Sequence, residues 1–450
     1  LYIHFFIHKG LSLKSVNIGI CGVGTVGTGT LDVLSRNTQE ISARAGKQIN
    51  IVHVGARRDH KDDHIRAISE GITISRDVFA VVNDKNVDVV VELIGGTSIA
   101  KELVEQALQN GKHVVTANKA LIAQYGNELF ALAEKNNVVV AYEAAVAGGI
   151  PIIKALKEGL SANKIEFLAG IINGTGNFIL TEMRDKKSAF GDVLAQAQAL
   201  GYAEADPTFD IEGIDAAHKL VILSAIAFGT PLQFDSVFTE GITKITTADV
   251  DYAKELGYEI KHLGVTQKRQ GGIELRVHPT LVPTTEMIAN VNGVMNAVMV
   301  KGDAVGPTLY YGPGAGAEPT ASAVIADIVD VVRNSDNAPS HCAPHLGFEA
   351  ASLKTLPMLP IEEVETAFYI RMTAQDKPGV LSEITQILSD AGISIEALVQ
   401  KEPNENEETV PVILLTQRVI EKQVIAAIQK IEGLDTISGS VMRIRVETFK

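Results

Sequence analysis

The feature that most constrains this chain is a rhythm of short strands and helices. Apolar, β-branched runs recur at 16–20, 49–54, 87–91, 113–116 and 138–142, and segments rich in Ala, Leu, Glu and Gln lie between several of them. A strand that is apolar on both faces has to be covered on both faces. Alternation with helices supplies that cover, so the block is predicted to be α/β with a parallel sheet.

The first run closes on Gly22-Val23-Gly24-Thr25-Val26-Gly27, with a helix-like segment after it. Between a strand and a helix, this spacing fits a dinucleotide site. The first glycine allows the tight turn, the second lets backbone approach the pyrophosphate, and the third lets helix and strand pack closely. The helix N-terminus adds free N–H groups for phosphate. Gly22, Gly24, Thr25, Val26 and Gly27 are therefore candidate cofactor residues, the alternative being a glycine-rich turn with no ligand. The second strand ends in Val54-Gly55-Ala56-Arg57-Arg58. A carboxylate there would suit the ribose hydroxyl of NADH, whereas an arginine suits the 2′-phosphate of NADPH. Arg57 is the better candidate and favours NADPH, although Asp59 keeps NADH open and both arginines could equally be solvated surface residues.

At 450 residues the chain exceeds one core, and domain sizes predict about two to four units. Net charge is −14 with no concentration of Lys or Arg, which argues against a nucleic-acid partner because phosphate neutralisation needs a basic face. Cys21 and Cys342 are the only cysteines, too few for a secreted disulfide framework, so a cytoplasmic location is expected. The longest uncharged apolar run, 220–234, contains Pro231 and is too short to span a membrane. Residues 1–14 read as an N-terminal extension, since the basic residue follows the apolar part instead of preceding it as in a leader.

The expected organisation is a Rossmann-type nucleotide domain at 15–150, completed by 318–333, followed by an α+β substrate and dimerisation domain at 151–317. In the latter a strand at 164–172 leads to a turn at Asn173-Gly174-Thr175-Gly176-Asn177. A polar loop at 201–209, a long helix from about Ile211, and strands at 273–281 and 297–301 follow. Residues 334–365, with Pro, Ser, Asn and His and little periodicity, read as a flexible linker. The tail, 366–450, reads as a self-contained βαββαβ unit whose acidic stretch 402–408 is a solvated hairpin tip.

Two lysines stand out. Lys119 ends Thr116-Ala117-Asn118-Lys119, directly after a strand, where ligand crevices of open α/β sheets lie; an exposed helix-start lysine is the alternative. Asp215 and Lys219 are four apart on a helix that is otherwise apolar through Leu220, Val221, Leu223 and Ile226. They share a face. The pattern alone leaves open both a functional pair and an ordinary surface ion pair.

The segment Gly201-Tyr202-Ala203-Glu204-Ala205-Asp206-Pro207, followed by Asp210, Gly213, Asp215 and Lys219, resembles the signature of homoserine dehydrogenases. Thr116–Lys119, the stretch from Glu143 to Pro151, Asn173–Asn177 and the stretch from Gly312 to Thr320 match further family motifs, in family order. The resemblance implies interconversion of L-homoserine and L-aspartate 4-semialdehyde with NADPH or NADH, in threonine, methionine and isoleucine biosynthesis. It implies Gly201, Glu204, Asp215 and Thr175 at the substrate, Lys219 as proton donor and acceptor, and Lys119 bridging cofactor and substrate. Gly316 and Thr97 fall on the cofactor side. Glu143, Val146, Gly148 and Ile150 match a monovalent-cation loop, with Na⁺ in a structural role. A homodimer or homotetramer is expected.

The tail resembles an ACT domain through Asp376-Lys377-Pro378-Gly379-Val380-Leu381; this makes Asp376 and Gly379 regulatory candidates, with threonine as effector. Two rival functions fit the sequence less well. A phosphorylating semialdehyde dehydrogenase needs a cysteine nucleophile, and neither Cys21 nor Cys342 is placed for one. An NADPH- and amino-acid-binding sensor without turnover has no need of Glu204, Asp215 and Lys219 together.

Overall fold

The computed structural model describes residues 14–57, 61–68, 71–336, 342–401 and 408–449. Most of the N-terminal extension, Arg58, Asp59 and the acidic stretch 402–407 lie outside the described residues. The chain forms two compact units: Leu1–Gly159 with Ala315–Leu353, and Leu160–Gly314 with Lys354–Lys450.

The first unit is built on a parallel sheet of order β3-β2-β1-β4-β5-β6, where β1 is Ser15–Cys21, β2 Gln48–Gly55, β3 Thr73–Ser75, β4 Val89–Glu92, β5 His113–Thr116 and β6 Val140–Ala141. All four residues of β4 are buried; its three valines are what a central strand covered on both faces requires, and Glu92 closes it. Helices α1 (Thr25–Arg36), α2 (Ser98–Gln109) and α3 (Lys119–Lys135) follow β1, β4 and β5. Strand order reverses between β1 and β4, and ligands of such sheets bind beyond the strand ends at that switch. The helix Ala317–Asn334 returns to this unit, packing Val324, Ile328 and Val332 with Ile18, Ile20 and Leu31.

The second unit holds a mixed sheet of order β12-β11-β7-β9-β10-β17-β13-β15-β14. Its amino-terminal part contributes β7 (Ile165–Ile171), helix α4 (Gly174–Lys186), helix α5 (Ile214–Phe228), β8 (Phe238–Thr239), helix α6 (Thr247–Glu255), β9 (Tyr258–Arg269), β10 (Gly272–Pro283), β11 (Met295–Gly302) and β12 (Gly306–Pro313). The tail contributes β13 (Glu365–Gln375), α7 (Val380–Asp390), β14 (Ile395–Gln400), β15 (Thr409–Thr416), β16 (Val419–Ile420), α8 (Glu421–Glu432) and β17 (Ile437–Val446). The βαββαβ order is as expected, but the tail is not self-contained. β17 pairs in parallel with β10 through Thr280↔Arg445 and Leu281↔Val446, which makes one continuous sheet. The two-residue period of β13 explains why: Phe368 and Ile370 face the tail's own core with Ile384, Leu388 and Val424. Tyr369, between them, faces Phe178, Ile179, Ile242 and Leu281.

Two other expectations change. Residues 173–177 are not a turn; α4 begins at Gly174, with Asn173 as its cap. The expected flexible linker is tied down. In the first unit, the His345 ring stacks on Phe130 at 4.7 Å and accepts from Val140 N at 3.2 Å. In the second unit, Ile273 N donates to Pro357 O and Leu359 N to Ile273 O, both at 2.9 Å. Among the described residues no helix is long and apolar enough to cross a membrane.

Candidate active site

In the first unit a crevice of about 900 Å³ opens at the strand ends, lined by Gly22, Gly24, Thr25, Arg57, Lys61 and Ile94 among others. Gly22 has φ +102°, and a Cβ there would stand 2.7 Å from Leu93 O. At Gly27 a Cβ would stand 2.1 Å from Gly22 O, while Gly24 has nothing within 4 Å. The turn therefore needs two of its glycines for its own packing and keeps the third side open. Gly24 caps α1, whose first turn holds Thr25 and Val26, leaving the helix N–H groups facing the crevice for an anion.

Arg57 is exposed at the rim beside Lys61. Their loop is held by Arg76, which donates to Ala56 O at 2.8 Å and to the Asp62 carboxylate at 3.0 and 2.5 Å.

Glu92, which no motif or period in the sequence singles out, organises the floor. Fully buried, it accepts from Ile94 N at 2.9 Å, Gly95 N at 3.1 Å and Thr116 Oγ1 at 2.6 Å. Asn118 then donates to Gly96 O at 2.6 Å and caps α3 by accepting from Leu121 N at 3.1 Å. The loop after β4, which leads into Thr97 at the cap of α2, and the start of α3 at Lys119 are thereby locked together. Gly316, with φ +126°, opens the helix Ala317–Asn334.

The stretch 143–150 is also in this unit. Ala147 and Gly148 both have positive φ, +56° and +49°, a conformation that a residue other than glycine seldom adopts unless its surroundings impose it. Glu143 is buried; its carboxylate accepts from Ile153 N at 2.9 Å and Lys154 N at 2.7 Å, and its own N–H donates to Asp327 at 2.7 Å. Burial, and after it the neighbouring Asp327 charge, push the Glu143 pKa up to about 7. Burial likewise raises Asp327 to about 6, against the pull of Lys154. Val146 and Gly148 are buried, and among the described residues their carbonyl oxygens accept no hydrogen bond, whereas that of Ile150 accepts from Ile152 N at 2.8 Å.

The second unit contains a compact polar cluster. Lys219 Nζ donates to Ile172 O and to Asp215 Oδ2, each at 2.6 Å, with Lys219 9% and Asp215 5% exposed. The pair is buried, so a surface ion pair is ruled out as its description. Asn173 holds the cluster together. Its Nδ2 donates to Asp210 Oδ1 and Asp215 Oδ2 at 2.8 Å each, and its Oδ1 accepts from Gly176 N at 2.7 Å. Burial raises the Asp210 pKa above the ordinary carboxyl value. Thr175 Oγ1 donates to Tyr202 O at 2.6 Å, tying the loop 201–207 to the cluster. Gly201 enters that loop with φ +75°, and the Glu204 side chain is exposed on it. In the tail, Gly379 has φ +97° with open space on its Cβ side, and Asp376 accepts from Gln400 Nε2 at 3.3 Å.

Comparison with known proteins decides the family. Residues 22–143 match the family profile described as homoserine dehydrogenase, NAD binding domain, residues 151–329 match homoserine dehydrogenase, and residues 368–433 match the ACT domain. A homoserine dehydrogenase from Pseudomonas aeruginosa is 60% identical over 97% of this chain and 99% of its own. The chain belongs to the homoserine dehydrogenase family. A crystal structure of a homoserine dehydrogenase from Thiobacillus denitrificans superposes with a TM-score of 0.91 at 60% identity, covering 97% of this chain and 99% of that one. A hyperthermophilic archaeal homoserine dehydrogenase in complex with NADPH is 27% identical, with a TM-score of 0.60, and covers 70% of this chain and 97% of its own.

Membership of the homoserine dehydrogenase family makes the protein an oxidoreductase with a nucleotide-binding, a catalytic and an ACT domain. The expected site residues divide between its units. Gly22, Gly24, Thr25, Val26, Gly27, Arg57, Thr97, Lys119, Gly316 and the stretch 143–150 lie in the first, and Thr175, Gly201, Glu204, Asp215 and Lys219 in the second. Glu92, and the bridging role of Asn173, emerge only in the structure, because they act by side-chain hydrogen bonds, which leave no periodic trace in sequence.

Proposed function

We propose that the chain interconverts L-aspartate 4-semialdehyde and L-homoserine with Lys219 as the proton-transfer residue and NADPH as the preferred cofactor. The observation that carries this reading is the buried Lys219 ammonium, held at 2.6 Å by both Ile172 O and Asp215. Bound NADPH supplies the hydride. As an aldehyde is reduced, negative charge develops on its oxygen, and a fixed ammonium donor both stabilises that charge and delivers the proton. In the reverse direction the neutral amine of Lys219 takes the hydroxyl proton. Asp215 fixes the direction in which Nζ points, Asn173 fixes Asp215, and Glu204 offers a carboxylate to the substrate α-ammonium. Lys119, positioned by the Glu92 network, is assigned to the bridge between cofactor and substrate.

The NADPH preference rests on Arg57 and Lys61 at the rim of the crevice, since cations there suit a 2′-phosphate. The archaeal relative solved with NADPH supports the same choice. A structural monovalent cation, Na⁺, is assigned to the stretch 143–150. The Val146 and Gly148 carbonyls fit as ligands, and Glu143 and Ile150 retain lone pairs beyond the hydrogen bonds that they accept. Threonine is assigned to the tail at Asp376 and Gly379, on the ACT match and on the open backbone at Gly379. We place the enzyme in the cytoplasm as a homodimer or homotetramer, the former on its two free cysteines.

The test follows NADPH absorbance during reduction of L-aspartate 4-semialdehyde by the parent and by Lys219→Ala. Turnover in the parent with loss of about three orders of magnitude in kcat in the variant is expected for removal of a proton-transfer group. An inactive parent that still binds NADPH would reject the reading.

A further inference from the structure

Helix α5 carries Asp215 and Lys219, and its position is set by what precedes it. Its cap is Gly213, at φ +83°, where a Cβ would stand 2.9 Å from Val277 Cγ1 and 3.1 Å from His262 Cε1. Immediately before that cap, Ile242 N donates to Ile211 O at 3.0 Å. A Cβ on Gly241 would lie 2.8 Å from Ile211 O and 2.3 Å from Glu212 Oε2. The segment 240–242 is thus in tight contact with 211–213, leaving little room for either to move alone.

Glu240 anchors this segment in three directions. Its N–H donates to Val277 O at 2.8 Å, and its carbonyl accepts from His262 Nε2 at 2.9 Å. Its carboxylate accepts from Arg445 Nη1 at 2.8 Å. Arg445 belongs to β17, the last strand of the tail, and is 1% exposed. Its other face is held by Glu421 at the start of α8, with Nε donating to Oε2 at 2.8 Å and Nη2 to Oε1. His262 also lies against Gly176 in the first turn of α4, with Nδ1 3.6 Å from where that Cβ would be. It therefore touches both helix starts that the Asn173 cluster joins. Burial lowers the His262 pKa to about 4, so the ring remains neutral and its Nε2–H remains a donor to Glu240.

We propose that Arg445 and Glu240 form a strut by which the ACT tail positions the catalytic helix, so that the tail completes the support of Asp215 and Lys219. Arg445, Glu240 and His262 are positioning residues; none is assigned to touch substrate. This rests on the reading that Lys219 carries proton transfer. It goes beyond that reading by making the tail a structural part of the active site, whether or not an effector is bound. Arg445 is clamped by Glu421 and Glu240, and Glu240 touches the segment that precedes α5. A change in how α8 and β17 sit is therefore transmitted to Lys219 through contacts that are already tight.

Removal of Arg445 itself leaves the fully buried Glu421 with only Arg443, at 3.4 Å, and risks unfolding. The test therefore uses Glu240, which is on the half-exposed side of the strut. The full-length parent is compared with Glu240→Ala, Glu240→Gln and, as a second contact between tail and catalytic part, Glu255→Gln. Glu255, the last residue of α6, pairs with Lys401 at the surface. We measure kcat, KM for both substrates, and amide hydrogen exchange across 213–219. The expected result for Glu240→Ala is a kcat lower by about tenfold, an unchanged KM for NADPH, and faster exchange at 213–219. Gln, which keeps an acceptor for Arg445, should restore most of the rate, and Glu255→Gln should resemble the parent. Parent-like kcat and exchange in Glu240→Ala, or equal losses in Glu255→Gln, would overturn the strut. Should the parent itself not turn over, the exchange measurement still decides it, so failure of the catalytic reading and of the strut remain distinguishable.

Discussion

At Asn173 a single side chain serves three partners: its oxygen caps α4 at Gly176 N, and its nitrogen reaches both Asp210 and Asp215. Replacement by alanine removes the cap, at about 1 kcal/mol, and leaves the buried Asp215 and the half-buried Asp210 each short of a donor, at about 1–3 kcal/mol for the buried one. Asn173→Ala is accordingly expected to lower the urea midpoint and to reduce kcat by at least tenfold, because Asp215 no longer has a fixed orientation from which to hold Lys219. Parent-like kcat in a folded variant would show that Asp215 is oriented without it. The spacing of Asp215 and Lys219 was legible in the sequence because helix geometry alone puts residues four apart on one face. That the pair is buried was not legible, since burial is decided by Ile172 and Asn173, more than 40 positions away. A second prediction belongs to Gly27. A methyl group 2.1 Å from Gly22 O cannot be accommodated, so Gly27→Ala is expected to weaken NADPH binding more than tenfold by fluorescence titration, and equal affinity would refute the turn geometry.

Among the elements, those read correctly are the ones whose burial follows a simple period. β4 opens with three valines and α5 is a largely apolar helix. β9 is not legible in the sequence because it buries Lys261, His262, Thr266 and Gln267, a polar composition that ordinarily marks exposure. Residues 173–177 look like a turn in sequence because their glycines disfavour a helix. Tertiary contact reverses that: a Cβ on Gly174 would come within 2.8 Å of Val294 O, and Asn177 Nδ2 donates to the carbonyls of Val291, Gly293 and Met295 at 3.2, 3.0 and 3.2 Å.

The segment around His345 likewise looks like linker in sequence, because its contacts are a ring stack and two hydrogen bonds, from Val140 N to Nε2 and from Tyr142 OH to the His345 carbonyl, with no period to see. It carries a pH prediction. Nε2 accepts from Val140 N, so the ring must be neutral there, and burial lowers its pKa to about 3. The unfolded chain then binds the proton more readily than the folded one. Stability from this group is present above pH ~6.5 and is lost as pH falls towards 3, by at most about 1.4 kcal/mol per pH unit. His345→Phe keeps the stack on Phe130 and removes the titration. Its denaturation midpoint should fall less steeply than the parent's between pH 6.5 and 4; parallel curves would reject the assignment.

For the whole molecule, the continuous sheet of the second unit changes what removal of the tail would do. A chain ending at Glu365 exposes the β10 edge that β17 covers and uncovers the apolar face formed by Ile179, Ile242 and Leu281. It also strips Arg276, 1% exposed, of Glu447, to which it donates at 2.6 Å, leaving it only Glu274 and His278. Glu274 still compensates the Arg276 charge, but the lost charge-assisted bond to Glu447 costs about 1.5–3 kcal/mol, a sizeable share of the about 5–15 kcal/mol that typically holds a domain. An unpaired, apolar strand edge additionally invites association. Truncation after Glu365 is therefore expected to give aggregated or unfolded protein by gel filtration and thermal melting, not a desensitised enzyme. A monodisperse truncated chain with the parent's melting temperature and kcat would show that the two parts of the sheet are energetically independent. Inhibition by threonine is better assigned in the full-length chain. There, Asp376→Ala at the surface of the tail leaves the Arg276 and Arg445 networks intact, and any loss of inhibition at unchanged basal kcat reports on the effector site alone.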